Sequence, residues 1–180
     1  VSIASGRVNP YEFGAGHKTL NYWPSLLNLQ LSAMQKCGES LLLTPSALVS
    51  GGCVSNLFIV KDGTLFTPVA RGEEGEQAEP SATLPGVTRS VVIQLADKLG
   101  VGTSKKAITL DDVLSSDEAF LTNSSWGVLP VVGLLAMVLE EGSHVEQTRA
   151  IGDGSVGDIS NKLIATYKNL LNTETGSITA

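Results

Sequence analysis

The chain has 180 residues, with 12 Lys and Arg against 18 Asp and Glu, for a formal net charge of −6. That length supports one domain with a sizeable core. The acidic balance, with no basic stripe, excludes a nucleic-acid-binding surface. The sequence opens at Val1 without a basic-plus-apolar leader, so a processed chain or a fragment is expected. Cys37 and Cys53 make neither a metal site nor a disulfide framework. They read as free thiols in a reducing compartment, which places the protein in the cytoplasm.

Taken in chain order, Trp23, Leu27, Leu31 and Met34 share one helical face, with Leu26 and Ala33 beside it. Pro24 suits the first turn and Gly38 the C-terminal cap. Leu41 to Leu43 predicts a short buried strand. Leu57 to Val60, then Lys61-Asp62-Gly63, then Thr64 to Thr67 predicts a β-hairpin turning on Asp-Gly. The stretch from Arg71 to Pro80 is rich in Glu and Gly and predicts a solvated loop. A second helix runs from Val87 to Leu99, with an apolar face of Val87, Val91, Leu95 and Leu99 and Gly100 as its cap. Thr109-Leu110-Asp111-Asp112 resembles a capping box and predicts a short helix. Ala119 to Thr122 and Val128 to Leu135 predict strands around an Asn123-Ser124-Ser125 turn. The apolar run from Val128 to Leu139 is too short to cross a bilayer as a helix, and Pro130 and Gly133 interrupt it. A strand pair or a strand with a bend is expected there, and no membrane association. Ile159, Leu163, Tyr167 and Leu170 mark a last helix. The class is α+β, with mixed strands and helices outside.

Three places could carry chemistry. Lys18 follows Gly14-Ala15-Gly16-His17, where glycines allow close approach to the backbone. It reads as a solvated surface lysine or, if desolvated, as an amine nucleophile. Leu84-Pro85-Gly86-Val87-Thr88-Arg89 opens the second helix, whose unpaired N–H groups suit an anion. Gly86 permits close approach and Thr88 adds a hydroxyl. Arg89 opposes the helix dipole, so an anion should compensate it, either a ligand or a buried Asp or Glu. Ser124, in the hydroxyl-rich turn, could add a further donor.

Lysine, helix N-terminus and hydroxyl turn together suggest pyridoxal 5′-phosphate. Five blocks occur in order: Lys18-Thr19-Leu20-Asn21-Tyr22; Val49 through Gly63; Leu84 through Arg89; Phe120-Leu121-Thr122-Asn123-Ser124; and Ile151-Gly152-Asp153-Gly154. Together they resemble the large C-terminal domain of the class IV (fold type IV) pyridoxal-phosphate enzymes. These include branched-chain and D-amino-acid aminotransferases and 4-amino-4-deoxychorismate lyase. The resemblance implies a mixed β-sheet or pseudo-barrel with surrounding helices, with residues 1–180 as the cofactor-binding domain. The family's smaller N-terminal domain lies outside these residues.

The resemblance further implies that Lys18 holds the cofactor as a Schiff base and moves a proton at the substrate Cα. Tyr22 would lie near the cofactor's phenolic oxygen. Gly86, Val87, Thr88 and Ser124 would hold its phosphate. It implies a homodimer acting on an amino acid, branched-chain favoured, and a 2-oxo acid. The alternatives are a lyase acting on aminodeoxychorismate and a relative that has lost turnover. No metal is implied. One departure stands out: Gly51 occupies the position where the family usually places the glutamate that holds a proton on the pyridine nitrogen. Ser50 or Ser55 is the expected neutral substitute.

Overall fold

A computed structural model describes residues 1–176 apart from 77 and 141, without the side chains of 138–140 and 144. The run Leu57-Phe58-Ile59-Val60 becomes the middle of strand β4 (Asn56–Lys61), buried on both faces. Side chains alternate along a strand. Leu57 and Ile59 therefore enter one apolar cluster with Leu41, Leu121 and Leu134, while Phe58 and Val60 enter a second with Val92, Leu95 and Leu163. Phe58 stacks on Phe120 with ring centroids 5.0 Å apart.

Five strands run in the order β6 (Thr103–Lys105), β5 (Thr64–Thr67), β4, β7 (Glu118–Asn123), β8 (Gly127–Val131). A second five-stranded sheet has the order β10 (Ser143–Ala150), β9 (Gly133–Glu140), β1 (Ser2–Arg7), β2 (Ser40–Leu43), β3 (Val49–Gly52). Both sheets are mixed: β1 runs parallel to β2 and β9, and β5 parallel to β6, while the remaining pairs are antiparallel. The first cluster lies between the sheets. Helices α2 (Val87–Lys98) and α4 (Asp158–Thr175) cover the outer face of the β4 sheet, and α1 (Trp23–Met34) lies over β1 and β2. This is the expected α+β class. The pseudo-barrel does not close: among the described residues no strand of one sheet pairs with a strand of the other.

The local signals mostly act as expected. Asp62 and Gly63 take φ of 49° and 73°, the left-handed pair that a tight hairpin needs. Thr109 and Asp112 form both halves of the capping box of α3 (Leu110–Leu114). After α2, Gly100 at φ 72° lets Val101 N–H reach Ala96 O at 2.9 Å. The Val128–Leu139 run splits at Val132 into β8 and β9, which join different sheets. No helix among the described residues is long and apolar enough to cross a membrane.

Three expectations change. The apolar face of α1 points outward: Trp23 is 68% and Met34 80% exposed, with Leu26, Leu27 and Leu31 also exposed. The buried residues of α1 are Asn28 and Ser32. Ser32 Oγ donates to Glu39 O at 2.8 Å and accepts from Ser2 Oγ at 3.0 Å, so the helix docks on its sheet through polar contacts. Its end is formed by Lys36 at φ 59°, with Cys37 N–H on Ser32 O, and not by Gly38. The inward face of α2 is turned, with Thr88, Arg89, Val92, Leu95 and Ala96 buried and Val87 exposed.

The start of α4 is held from β7. Glu118 accepts from Ile159 N–H at 3.0 Å and Ser160 N–H at 2.7 Å, and a Cβ at Gly157 would run into that carboxylate. Glu118→Ala should therefore leave orphaned helix N–H groups and cost about 1–3 kcal/mol. Urea denaturation should show a lowered midpoint with an unchanged slope. An unchanged midpoint contradicts the role.

Candidate functional site

The start of α2 leaves its first backbone N–H groups without a side-chain cap. Gly86 is its extended N-cap and makes no side-chain cap. Ser90 N–H is the first to reach back, to Gly86 O at 3.0 Å, so the N–H groups of Val87, Thr88 and Arg89 precede the helical ladder. Gly86 is needed for space: a Cβ there would collide with Asn56 Oδ1. Asn56 in turn donates from Nδ2 to Leu84 O at 2.7 Å, tying the start of β4 to the chain entering α2.

Thr122 lies opposite Asn56 in the β4–β7 ladder. Paired residues of antiparallel strands project from the same face. Thr122 therefore shares the Asn56 face, toward the α2 start. Its hydroxyl is buried and has no hydrogen-bond partner among the described residues. A buried polar group without a partner costs about 1–3 kcal/mol, and at a ligand site such an orphan marks a place for a ligand atom. Ser124 is exposed in the adjoining β7–β8 turn, whose Asn123 donates to Val54 O at 3.3 Å. The predicted phosphate residues Gly86, Val87 and Thr88 thus adjoin a floor of Asn56 and Thr122. The sequence reading did not single out these two. The available signal was a polar residue opening, or closing, an otherwise apolar strand.

Lys18 lies in the loop before α1 and is exposed, not desolvated. Its Nζ donates to Tyr22 Oη at 2.8 Å and lies 5.3 Å from that ring's centroid. Lys18 and Tyr22 are therefore brought together, and among the described residues no hydrogen bond links either to the α2 start. The link runs through backbone and Arg71. The Arg71 guanidinium donates to Ala15 O at 2.9 Å and to Pro10 O at 2.8 Å, while its backbone N–H reaches Thr83 O at 2.8 Å.

Gly51 sits at φ 139°, and a Cβ there would lie 2.8 Å from Ser55 O. A glutamate at 51 would have to move this loop. The expected substitutes are committed elsewhere: Ser50 Oγ donates to Leu42 O at 3.2 Å and Ser55 Oγ to Glu39 at 3.0 Å. Each hydroxyl has spent its proton and keeps only lone pairs. The fully buried Glu39 carboxylate also accepts from Ser40 N–H at 2.9 Å and Cys53 N–H at 3.1 Å, and so braces the loop. Burial, then the Glu39 charge, pushes the Cys53 thiol up to about 12, which keeps it protonated and inert.

Arg89 resolves to the buried ion pair. It is 0% exposed, with Nη1 3.0 Å and Nη2 2.8 Å from the two carboxylate oxygens of Glu73. Nη2 also donates to Pro68 O, and Nε to Thr67 Oγ1. Residues 71–74 are therefore anchored, not simply solvated. Burial acts to raise the Glu73 carboxyl, but hydrogen bonds from Arg89, Lys105 and Ala70 N–H outweigh it and hold it at about 2. The carboxyl is depressed in the fold, so its stabilisation is complete above the ordinary value of 4.5 and is lost as pH falls through about 2. Glu73 keeps 24% of its side chain in solvent, so its loss should cost less than the about 3–5 kcal/mol of a fully buried pair, about 2 kcal/mol. Glu73→Gln should lower the urea midpoint at pH 7, and the gap from wild type should close between pH 4.5 and about 2. Equal midpoints at pH 7 contradict this.

The amino-transferase class IV family model matches residues 1–134. The chain is 32% identical over 154 residues to a branched-chain-amino-acid aminotransferase of Pseudomonas aeruginosa, covering 86% of this chain and 43% of that protein. It is 26% identical over 159 residues to a D-alanine aminotransferase of Bacillus licheniformis, covering 88% and 48%. The chain thus spans about half the length of the curated relatives it matches. In fold it is similar to the branched-chain amino acid aminotransferase of Thermobaculum terrenum in its PLP-form (holo-form), with TM-score 0.76 and 25% identity, covering 96% of this chain and 50% of that one. A buried floor beneath a helix start, a lysine loop strapped to it, and these likenesses converge: the chain belongs to the class IV amino-transferase family.

Proposed function

We propose that this chain forms the pyridoxal 5′-phosphate-binding part of an aminotransferase, which moves an amino group between an amino acid, branched-chain favoured, and a 2-oxo acid. The observation that carries the reading is the orphaned Thr122 hydroxyl beneath the uncapped start of α2. The donors there fit a phosphate: three N–H groups, the Thr88 hydroxyl, the Thr122 hydroxyl and, from the turn, Ser124. The neutral donors and helix dipole must hold the anion, since Arg89 is already neutralised by Glu73. The relatives named as branched-chain aminotransferases support the substrate class, and the holo form of one of them supports the cofactor.

The cofactor, when bound, supplies a carbonyl that takes up the amino group and a ring that takes up electrons. The chain's own residues do the rest. Lys18 Nζ is the attachment point and the group that moves a proton at the substrate Cα. Tyr22 Oη, 2.8 Å from Nζ, fixes where that amine points. Gly86 keeps the phosphate close to the backbone, and Thr88 and Ser124 orient it. Because position 51 carries no carboxylate, the ring nitrogen receives no charge partner from it. That departure favours a second reading, a lyase releasing pyruvate from aminodeoxychorismate, and pyruvate release without an added 2-oxo acid identifies it. The free thiols of Cys37 and Cys53 fit a reducing compartment, and we place the protein in the cytoplasm.

Incubation with pyridoxal 5′-phosphate should yield a yellow protein. Borohydride should bleach it and leave a modified Lys18 in the peptide map, and Lys18→Ala should abolish both the modification and amino transfer. A wild-type chain that stays colourless contradicts the reading and supports a relative without turnover.

The partner proposed for the open face of α1 is a second copy of the chain. The helix carries no charged residue, so two such faces can meet without burying an unpaired charge. Leu27→Glu should turn a dimer into a monomer in sizing by light scattering. A variant that remains dimeric, or a wild type that is monomeric at high concentration, overturns this.

A further inference from the structure

The segment Arg71–Glu74 touches both ends of the candidate site. On one side, Arg71 Nε and Nη2 both donate to Ala15 O, at 3.1 Å and 2.9 Å, and Nη2 also to Pro10 O, holding the loop that leads to Lys18. That loop fits closely against it: a Cβ on Gly16 would lie 2.7 Å from Arg71 Cβ. On the other side, two residues along, Glu73 grips Arg89 in the first turn of α2 through two oxygens. Glu74 closes the segment on itself, with its carboxylate accepting from Ser81 N–H at 2.6 Å and lying 4.0 Å from Arg71 Nη1. A bidentate guanidinium contact constrains direction as well as distance. The two grips are therefore geometrically coupled through a very short piece of backbone.

We propose that Arg71 and Glu73 are positioning residues of one strap, which sets the separation between the lysine amine and the phosphate-binding helix start. The inference rests on the proposed cofactor reading and deepens it. The strap acts through the lysine loop and the helix start, which Arg71 and Glu73 hold. Arg71 governs where the carbonyl-reacting end waits, and Glu73 governs where the phosphate-holding end sits. Placement of reacting groups within about 0.5 Å is what separates a productive site from a merely present one. The two residues should therefore fail differently.

The test uses the chain with two probes: pyridoxal 5′-phosphate and 4′-deoxypyridoxine 5′-phosphate, which keeps the phosphate and lacks the aldehyde. In Arg71→Ala, borohydride-trapped cofactor at Lys18 should fall at least about tenfold, since a misplacement of about 1 Å can cost about a hundredfold, while affinity for the deoxy probe stays within about twofold. Arg71→Lys keeps the charge but loses the bidentate grip, and serves as the variant of record if the alanine chain does not fold. It should show the same split to a smaller degree. In Glu73→Gln, affinity for the deoxy probe itself should fall about tenfold, the size of one hydrogen bond to the phosphate lost. Amide hydrogen exchange without any probe should quicken at residues 10–18 in the Arg71 variants and at 84–90 in Glu73→Gln. Trapping and deoxy-probe affinity falling together in every variant overturns the strap, as does wild-type behaviour in all of them. If wild type takes up neither probe the cofactor reading fails, and the exchange pattern alone then decides the strap: localised quickening upholds it as a mechanical link, and uniform or absent quickening removes it.

Discussion

The burial of the Arg89 guanidinium in the first turn of α2 is the constraint on which the site depends. A cation there opposes the helix dipole and has left water entirely, so it must be matched by a fixed anion and by carbonyls. Glu73 supplies the anion, and Pro68 O and Thr67 Oγ1 complete the shell. Thr67 in turn donates to Leu57 O, in the buried strand β4. The orientation of the α2 start is thereby fixed to the core through one side chain. Neutralising Arg89 internally also removes it as a ligand for an incoming anion. A phosphate held at this helix start would then rest on helix N–H groups and hydroxyls.

The floor beneath that helix start follows from β4 and β7. Their ladder sets Asn56 opposite Thr122, and the Asn56 amide and the nearby Gly86 backbone interlock so closely that no side chain fits at 86. Asn56 satisfies a carbonyl of the entering chain, whereas Thr122 satisfies nothing among the described residues. The 51–55 loop is braced by Glu39, whose carboxylate accepts from the Ser55 hydroxyl and from Cys53 N–H. The α2 start is thus left with uncapped N–H groups and the unpartnered Thr122 hydroxyl, and position 51 brings no carboxylate.

Much of the fold was legible because its signals are local. Asp62-Gly63 needs no partner to make a turn, nor Thr109 with Asp112 to cap a helix, nor Gly100 to end one. The features that escaped depend on partners distant in sequence. Helical spacing told which residues of α1 share a face but not which way the face points. That was decided by hydroxyls on Ser2, Ser32 and Ser40 packing where apolar groups were expected. The polar strand Ser2–Arg7 shows no apolar alternation, yet pairing on both sides buries its start. Glu73 read as one solvated charge among several, because nothing local links it to a cation sixteen residues on. Similarly, the family pattern in the sequence singled out Lys18, Tyr22 and the 86–88 turn, while the contacts that position them, through Arg71, Glu73 and Asn56, came only from the fold.

The central claim is that the α2 start holds a phosphate while Lys18 takes the carbonyl of the same molecule. Its most direct test is a crystal structure of the chain soaked with pyridoxal 5′-phosphate. The account predicts phosphate oxygens within hydrogen-bond distance of the Val87 and Thr88 N–H groups and the Thr122 hydroxyl, and continuous density from the ring to Lys18 Nζ. Phosphate bound elsewhere, or density joining the ring to another lysine, would contradict it.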